Sequence, residues 1–227
     1  MPRPRVHKKH MRNVAGYPGE ILVAAEEMRD LRGRWQTLFP AADRLWLEVG
    51  CGRGAFLAGL LDKDPRAALL GLEIRPDRCV TARNKLLQAN GAGRFRVLHT
   101  FAELLPLIFG CGELERIHLN FPDPWPCSPD RSKRLFGPRF LPIYQHLLAP
   151  GGELWFKTDD PGAWREFMAR RPQALVLLDS GEDLSRSPLF HDNVETEFER
   201  LFLSKGQRIH FARVRREIHL PHDTRWP

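Results

Sequence analysis

A chain of 227 residues with 42% apolar residues can bury one sizeable core and has rather little left for a second, and this composition excludes a disordered chain. No run approaches the roughly 18 consecutive apolar residues of a membrane span, and the basic N-terminus is not followed by the apolar stretch of a signal peptide. The expectation is a cytoplasmic protein with no membrane partner, and the excess of lysine and arginine over aspartate and glutamate, 35 to 28 for a net charge of +7, points to a polyanionic partner such as nucleic acid.

In chain order, Arg3, Arg5, Lys8, Lys9 and Arg12 precede the first acid, Glu20, and define a basic arm over residues 1–19 ahead of a single domain over residues 20–227. Residues 20–35 have helical spacing, with Leu22, Glu26 and Arg29 separating the faces. Residues 45–49 read as a buried strand ended by Gly-Cys-Gly-Arg-Gly, and residues 55–62 as a helix. Residues 68–74 form a second strand. Residues 76–90 open with proline at a first helical turn and stop before Gly91, which marks a helix. A third strand follows at 94–99, a short helix at 102–109, a fourth strand at 116–121, a helix within 136–152 closed by Pro-Gly-Gly, and a fifth strand at 153–159. Residues 174–180 and 208–214 supply a terminal strand pair, separated by an acid-rich loop at 182–195. Strands alternating with helices make an α/β fold with a doubly wound, mostly parallel sheet.

The four cysteines, Cys51, Cys79, Cys111 and Cys127, are widely spaced without a CxxC pair and read as reduced thiols. The nine histidines form no ligand cluster, His219 and His222 lying in a proline-containing tail, so no metal site is expected. That tail continues a second basic stretch, with Lys205, Arg208, Arg213, Arg215, Arg216 and Arg225 against Glu217 and Asp223.

Ligands of open parallel sheets bind at the carboxyl ends of strands. There the chain places Glu48 and its glycines, Glu73, Asn120 with Asp123, and Thr158 with Asp159. The loop from Gly50 to Ala55 matches G-x-G-x-x-G/A, and Glu73 follows about 20 residues on, as in a dinucleotide fold. Glu48, two residues before the first glycine, argues against a pyrophosphate, which it would repel, and for an ammonium or sulfonium. S-adenosylmethionine carries an adenosine and a positive charge but no phosphate, with Glu73 placed to accept from the ribose hydroxyls. In the stretch Asn-Phe-Pro-Asp-Pro-Trp-Pro, Asp123 stands between Pro122 and Pro124 and has little backbone freedom. Trp125 is placed either to stack on a base or to pack under the loop.

LEVGCGRGAFL, LGLEI, NFPDPWP, Lys133 with Arg134, LLAPGGELWFKTDD and the TEFE of Thr196 to Glu199 together resemble the bacterial tRNA (guanine-N7)-methyltransferase family, in order over about residues 45 to 210. The resemblance implies a Rossmann-like class I methyltransferase fold with a seven-stranded sheet. It implies transfer of a methyl group from S-adenosylmethionine to N7 of guanine 46 in the tRNA variable loop, by a monomer or homodimer. Cofactor contacts fall on Glu48, Gly50, Gly52, Glu73, Phe101, Asn120 and Asp123, with Asp123 also the active-site aspartate. Substrate contacts fall on Asp159, Thr196, Glu197, Phe198 and Glu199.

Two features depart from the family pattern. Cys127, Ser128, Pro129 and Asp130 replace a basic KKRH-like run, leaving Arg131, Lys133 and Arg134 to compensate. Phe101 stands where an Asp or Asn normally faces the adenine, leaving its backbone or Thr100 for that contact. Guanine N7 carries an in-plane lone pair and needs no general base, so catalysis is by alignment and electrostatics. Asp123 then either stabilises the charge developing on the purine or holds its N1 and N2 donors. The rival expectations are a catalytically impaired tRNA-binding protein, a methyltransferase acting on another RNA position or an exocyclic amine, and, least fitting, an NAD-dependent oxidoreductase.

Overall fold

The computed structural model describes residues 14, 16–17, 19–125 and 128–218; most of the basic arm, Cys127 and the tail carrying His219, His222 and Arg225 lie outside the described residues. In chain order the elements are β1 (Ile21–Leu22), α1 (Ala25–Asp30), β2 (Arg44–Val49), α2 (Ala55–Lys63), β3 (Ala67–Glu73), α3 (Pro76–Gln88) and β4 (Phe95–His99). There follow α4 (Leu105–Ile108), β5 (Leu114–Asn120), α5 (Leu141–Leu147), β6 (Leu148–Thr158), α6 (Pro161–Arg170), β7 (Leu175–Gly181), α7 (Glu197–Ser204) and β8 (His210–Arg216). The strands form one sheet in the order β1-β4-β3-β2-β5-β6-β8-β7. All neighbours are parallel except β6 with β8 and β8 with β7.

The sheet has eight strands, not the expected seven, because residues 20–35 are not one helix. Ile21 and Leu22 pair with Val97 and Leu98 of β4, and Glu20 O accepts from Val97 N at 2.8 Å. The open edge of β4 offers donors and acceptors that an extended Ile-Leu satisfies, so tertiary pairing overrides the helical spacing. Helix α1 is the remnant, followed by turns and a 3₁₀ segment at Trp35–Leu38. Of the expected arm, Val14 is fully buried and Tyr17 lies under Arg83 of α3, with 4.5 Å from guanidinium to ring.

Strands β2 and β3 are buried on both faces, which accounts for their near-continuous apolar runs. Alternation sorts β2: Leu45, Leu47 and Val49 join one core with Trp35, Phe109, Tyr144 and Phe156, while Trp46 joins the core under α2 and α3. Glu48 shares the Trp46 face, the side on which the helix of the glycine loop packs. Gly54 caps α2 at φ +75°, and a Cβ there would stand 2.9 Å from Ala82 Cα, so this glycine lets α2 and α3 meet. Asp160 caps α6 by accepting from Gly162 N and Ala163 N at 2.6 and 3.1 Å. A third, smaller cluster of Leu184, Ile209 and Phe211 receives Phe121 and Phe202 at the carboxyl edge.

Candidate functional site

From β2 the chain winds outward through β3 and β4, then starts β5 on the opposite flank of β2, which opens a crevice at the carboxyl ends of β2 and β5. The glycine loop lies at that crevice. Gly50 N and Cys51 N donate to Leu72 O at 2.8 and 2.9 Å, pinning the loop to β3. Gly50 and Gly52 have φ of +83° and +55°, and a Cβ on either would meet nothing within 4 Å. Their backbone therefore faces open space in a conformation that a larger residue adopts only with strain.

Beside the loop, Glu48 is 3% exposed and accepts from Asn120 Nδ2 through Oε1 at 2.9 Å. Glu48 Oε2 and Asn120 Oδ1 are buried without a hydrogen-bond partner among the described residues. Burial pushes the Glu48 carboxyl up to about 7, against the pull of Asn120 and Lys157 and with a further push from Glu73. Glu73 is also buried, accepts from Arg75 N at 2.8 Å, and is raised by desolvation. A buried acceptor left unmatched costs about 1–3 kcal/mol, which an incoming donor or cation offsets. Two buried carboxyls, orphaned oxygens and an open glycine backbone fit S-adenosylmethionine, whose cationic end and ribose hydroxyls supply the missing partners, whereas a pyrophosphate would be repelled by the carboxylates.

Asp123 is exposed, between two non-glycine residues with positive φ: Phe121 at +50° and Trp125 at +41°. Such conformations cost of order 1–3 kcal/mol each and persist where the surroundings hold them. Phe121 N donates to Lys157 O at 2.8 Å, and its ring sits 5.5 Å from that of Phe202. Trp125 O accepts from Arg134 Nη2 at 3.0 Å, and Lys133 Nζ lies 4.9 Å from the centre of the Trp125 ring. Lys133 also pairs with Asp130 at 2.5 Å and Arg134 with Glu166, so two of the compensating cations brace the loop itself.

Asp159 is partly buried, and desolvation raises its carboxyl. The TEFE segment, just past the acid-rich loop, starts α7 with Thr196 as its N-cap. Thr196 Oγ1 accepts from Glu199 N at 2.9 Å while Glu199 reaches back to Thr196 N, a capping box. Glu199 is fully buried, Glu197 pairs with Lys85 of α3 at 2.7 Å, and Phe198 is 54% exposed. Phe101 is equally exposed, next to the buried Thr100. The structure thus gathers Glu48, Asn120 and Glu73 around the glycine loop, while Asp123, Phe101 and Phe198 are exposed to solvent.

Lys157 went unnoticed in the sequence. Its ammonium is buried within the carboxyl edge and contacts Glu199 Oε2 at 2.6 Å, Asn193 Oδ1 at 3.0 Å and Val194 O at 3.1 Å. The signal was a lysine interrupting the apolar run of β6 directly before Thr158 and Asp159. Among the described residues no group of His, Cys, Asp and Glu could hold a metal, and no helix is long and apolar enough to cross a membrane.

A family described as "Putative methyltransferase" matches residues 42–212. The tRNA (guanine-N(7)-)-methyltransferase of Geobacillus sp. strain WCH70 is 36% identical over 203 residues, covering 89% of this chain and 90% of that protein. That of Bacillus subtilis strain 168 is 33% identical over 193 residues, covering 85% and 90%. Among solved structures, the 16S rRNA methyltransferase KamB superposes with a TM-score of 0.57 at 17% identity, covering 82% of this chain and 93% of that one. TrmN from Thermus thermophilus gives 0.55 at 20% identity, covering 85% and 48%. At these identities the superpositions establish the fold, a Rossmann-like methyltransferase sheet.

Proposed function

The chain belongs to the family of S-adenosylmethionine-dependent tRNA (guanine-N7)-methyltransferases, and from that membership we propose that it methylates N7 of guanine 46 in the tRNA variable loop. The observation that supports this most is the Glu48–Asn120 pair, buried beside an open glycine backbone and followed in β5 by a braced loop presenting Asp123. The same reading makes tRNA the partner of a cytoplasmic monomer or homodimer, with residues 1–19 as a basic arm and residues 20–227 as the methyltransferase domain.

When bound, S-adenosylmethionine supplies an electrophilic methyl group on a sulfonium. Glu48 and Glu73 hold its charged end and ribose, Gly50 and Gly52 admit it against the backbone, and Asn120 fixes the Glu48 carboxylate. Asn120 Oδ1, the Phe101 backbone and Asp123 complete the cofactor contacts. No residue need remove a proton, because the N7 lone pair is free to react; the protein's work is alignment and charge. Asp123 either stabilises the positive charge that develops on the purine or binds its N1 and N2 donors, and Pro122 and Pro124 limit its motion. Asp159 and Thr196 to Glu199 take the guanine side of the site, with Glu199 anchoring that segment from inside.

The test is methyl incorporation from labelled S-adenosylmethionine into a tRNA with a variable-loop guanine, beside the same tRNA carrying 7-deazaguanine there. Incorporation into the first alone is expected; equal incorporation would move the target to another atom. The pairing of Lys133 and Arg134 with acids of this chain favours one second reading, a tRNA-binding protein with impaired transfer. It predicts bound tRNA and incorporation into neither substrate.

A further inference from the structure

We propose that Lys157 is a positioning residue of the transfer site, holding residues 193–199 across the helix of the glycine loop and so setting residues 196–198 relative to the Glu48–Asn120 pair. The inference rests on the methyl-transfer reading above. The Lys157 ammonium has three protons and three acceptors: Glu199 Oε2, Asn193 Oδ1 and Val194 O, at 2.6, 3.0 and 3.1 Å. Glu199, itself without exposure, has its second oxygen filled by Asn193 Nδ2 at 2.5 Å. The segment so held crosses α2 at Gly59, where a Cβ would stand 2.4 Å from Val194 Cγ1, and reaches α3 through the Glu197–Lys85 pair. It is therefore fastened to β6, α2 and α3, the elements that frame the glycine loop.

A buried ion pair is a costly fastener. Apolar residues of similar volume commonly hold as well or better, so the charge has a use besides stability. Lys157 draws Glu48 toward its ionised form, the form a cationic cofactor requires. The other titratable groups around Glu48 are Glu73 on β3 and Cys51 in the loop, both raised by burial, and His118, its register partner on β5, which burial holds neutral. Arg78 lies 4.0 Å from Glu73 and Arg116 acts on His118, but Lys157 is the cation that acts on Glu48, so one ammonium serves both the cofactor carboxylate and the guanine-side segment.

The test compares wild type with Lys157→Arg, Asn193→Ala and the double variant Lys157→Met/Glu199→Met, which replaces the pair by apolar side chains. Thermal unfolding, KM for tRNA, kcat, and S-adenosylmethionine affinity by calorimetry from about pH 6 to about pH 9 are measured for each. In the double variant the unfolding temperature should stay within a few degrees of wild type, while the pH midpoint of cofactor binding rises by about one unit. KM for tRNA should rise about tenfold in the double variant and in Asn193→Ala, whereas Lys157→Arg keeps the midpoint. Unmoved midpoint and KM in the folded variants would reduce the pair to a structural fastener and overturn the proposal. Should the double variant not fold, an unchanged KM in Asn193→Ala overturns it equally. Calorimetry needs no tRNA, so a wild type that transfers no methyl to tRNA would remove the functional reading while leaving the link from Lys157 to Glu48 under test.

Discussion

Asn120 Nδ2 donates to Glu48 Oε1 at 2.9 Å, tying the carboxyl ends of β5 and β2 together across the point where strand order reverses. The bond orients a carboxylate whose second oxygen is buried and unmatched. With its carboxyl raised from 4.5 to about 7, Glu48 favours the folded state when protonated. Its contribution to stability is fully present below about pH 4.5 and is lost as pH rises through about 7. Glu48→Gln should therefore stabilise the free protein by a few kcal/mol at about pH 8, read by thermal unfolding against pH. The same variant should lose S-adenosylmethionine binding by about a hundredfold or more, and wild-type affinity should fall as pH drops below about 7. A variant that is less stable at high pH, or one that binds normally, would show that Glu48 is not a strained cofactor carboxylate.

Asp123 is exposed, so its removal should leave stability within about 0.5 kcal/mol. If its main role is to stabilise charge developing on the purine, Asp123→Ala should lower kcat by about 10² to 10³ and weaken S-adenosylmethionine binding far less; a loss mainly in cofactor affinity would make it a cofactor contact instead. Single-turnover kinetics at saturating tRNA measure this directly, and near-normal turnover would remove Asp123 from the mechanism.

The loop's stiffness is separable from its charge. Pro122→Gly/Pro124→Gly leaves Asp123 in place but frees the backbone on both sides, at about 0.4–1 kcal/mol per site through the unfolded state. Its kcat should fall by about tenfold while tRNA affinity is kept, because a carboxylate that samples several positions spends less time aligned. Unchanged kcat would mean that Phe121 and Trp125, with their positive φ, suffice to hold the loop.

The parallel sheet and the crevice residues were legible because they rest on local signals. Buried strands in β2 and β3 are runs of apolar residues, glycines mark the loop that follows, and Pro76 marks the start of α3. What escaped depends on distant partners. Ile21 and Leu22 are extended because β4 has an open edge, and nothing within residues 20–35 reports that edge. Lys157 is a buried cation because Glu199, which is 42 positions further on, folds back over it. Thr196 to Glu199 carried a readable T-x-x-E capping signature, but that Glu199 engages both oxygens inside the protein depends on Lys157 and Asn193, which the motif does not report.

The basic carboxyl-terminal stretch divides into internal and free cations, which predicts unequal effects on RNA binding. Arg213 forms a two-point pair with Glu153 at 2.7 and 2.8 Å, and the buried Arg216 donates to the carbonyl of Leu148. Lys205, Arg208 and Arg215 are exposed. Wild-type tRNA affinity should weaken steeply with salt, since each phosphate neutralised adds about 0.7 to 0.9 to the slope of log affinity against log salt. Arg208→Ala and Lys205→Ala should each reduce that slope by about 1 if their side chains grip phosphates, with unfolding temperature unchanged. Arg216→Ala should do the reverse: it removes a donor from a buried carbonyl, costing about 1–3 kcal/mol of stability, and leaves the slope as it was. Binding titrations at several salt concentrations separate the two classes. A flat salt response in the wild type would mean that the basic ends are merely solvated and that recognition rests on the groups around Asp123.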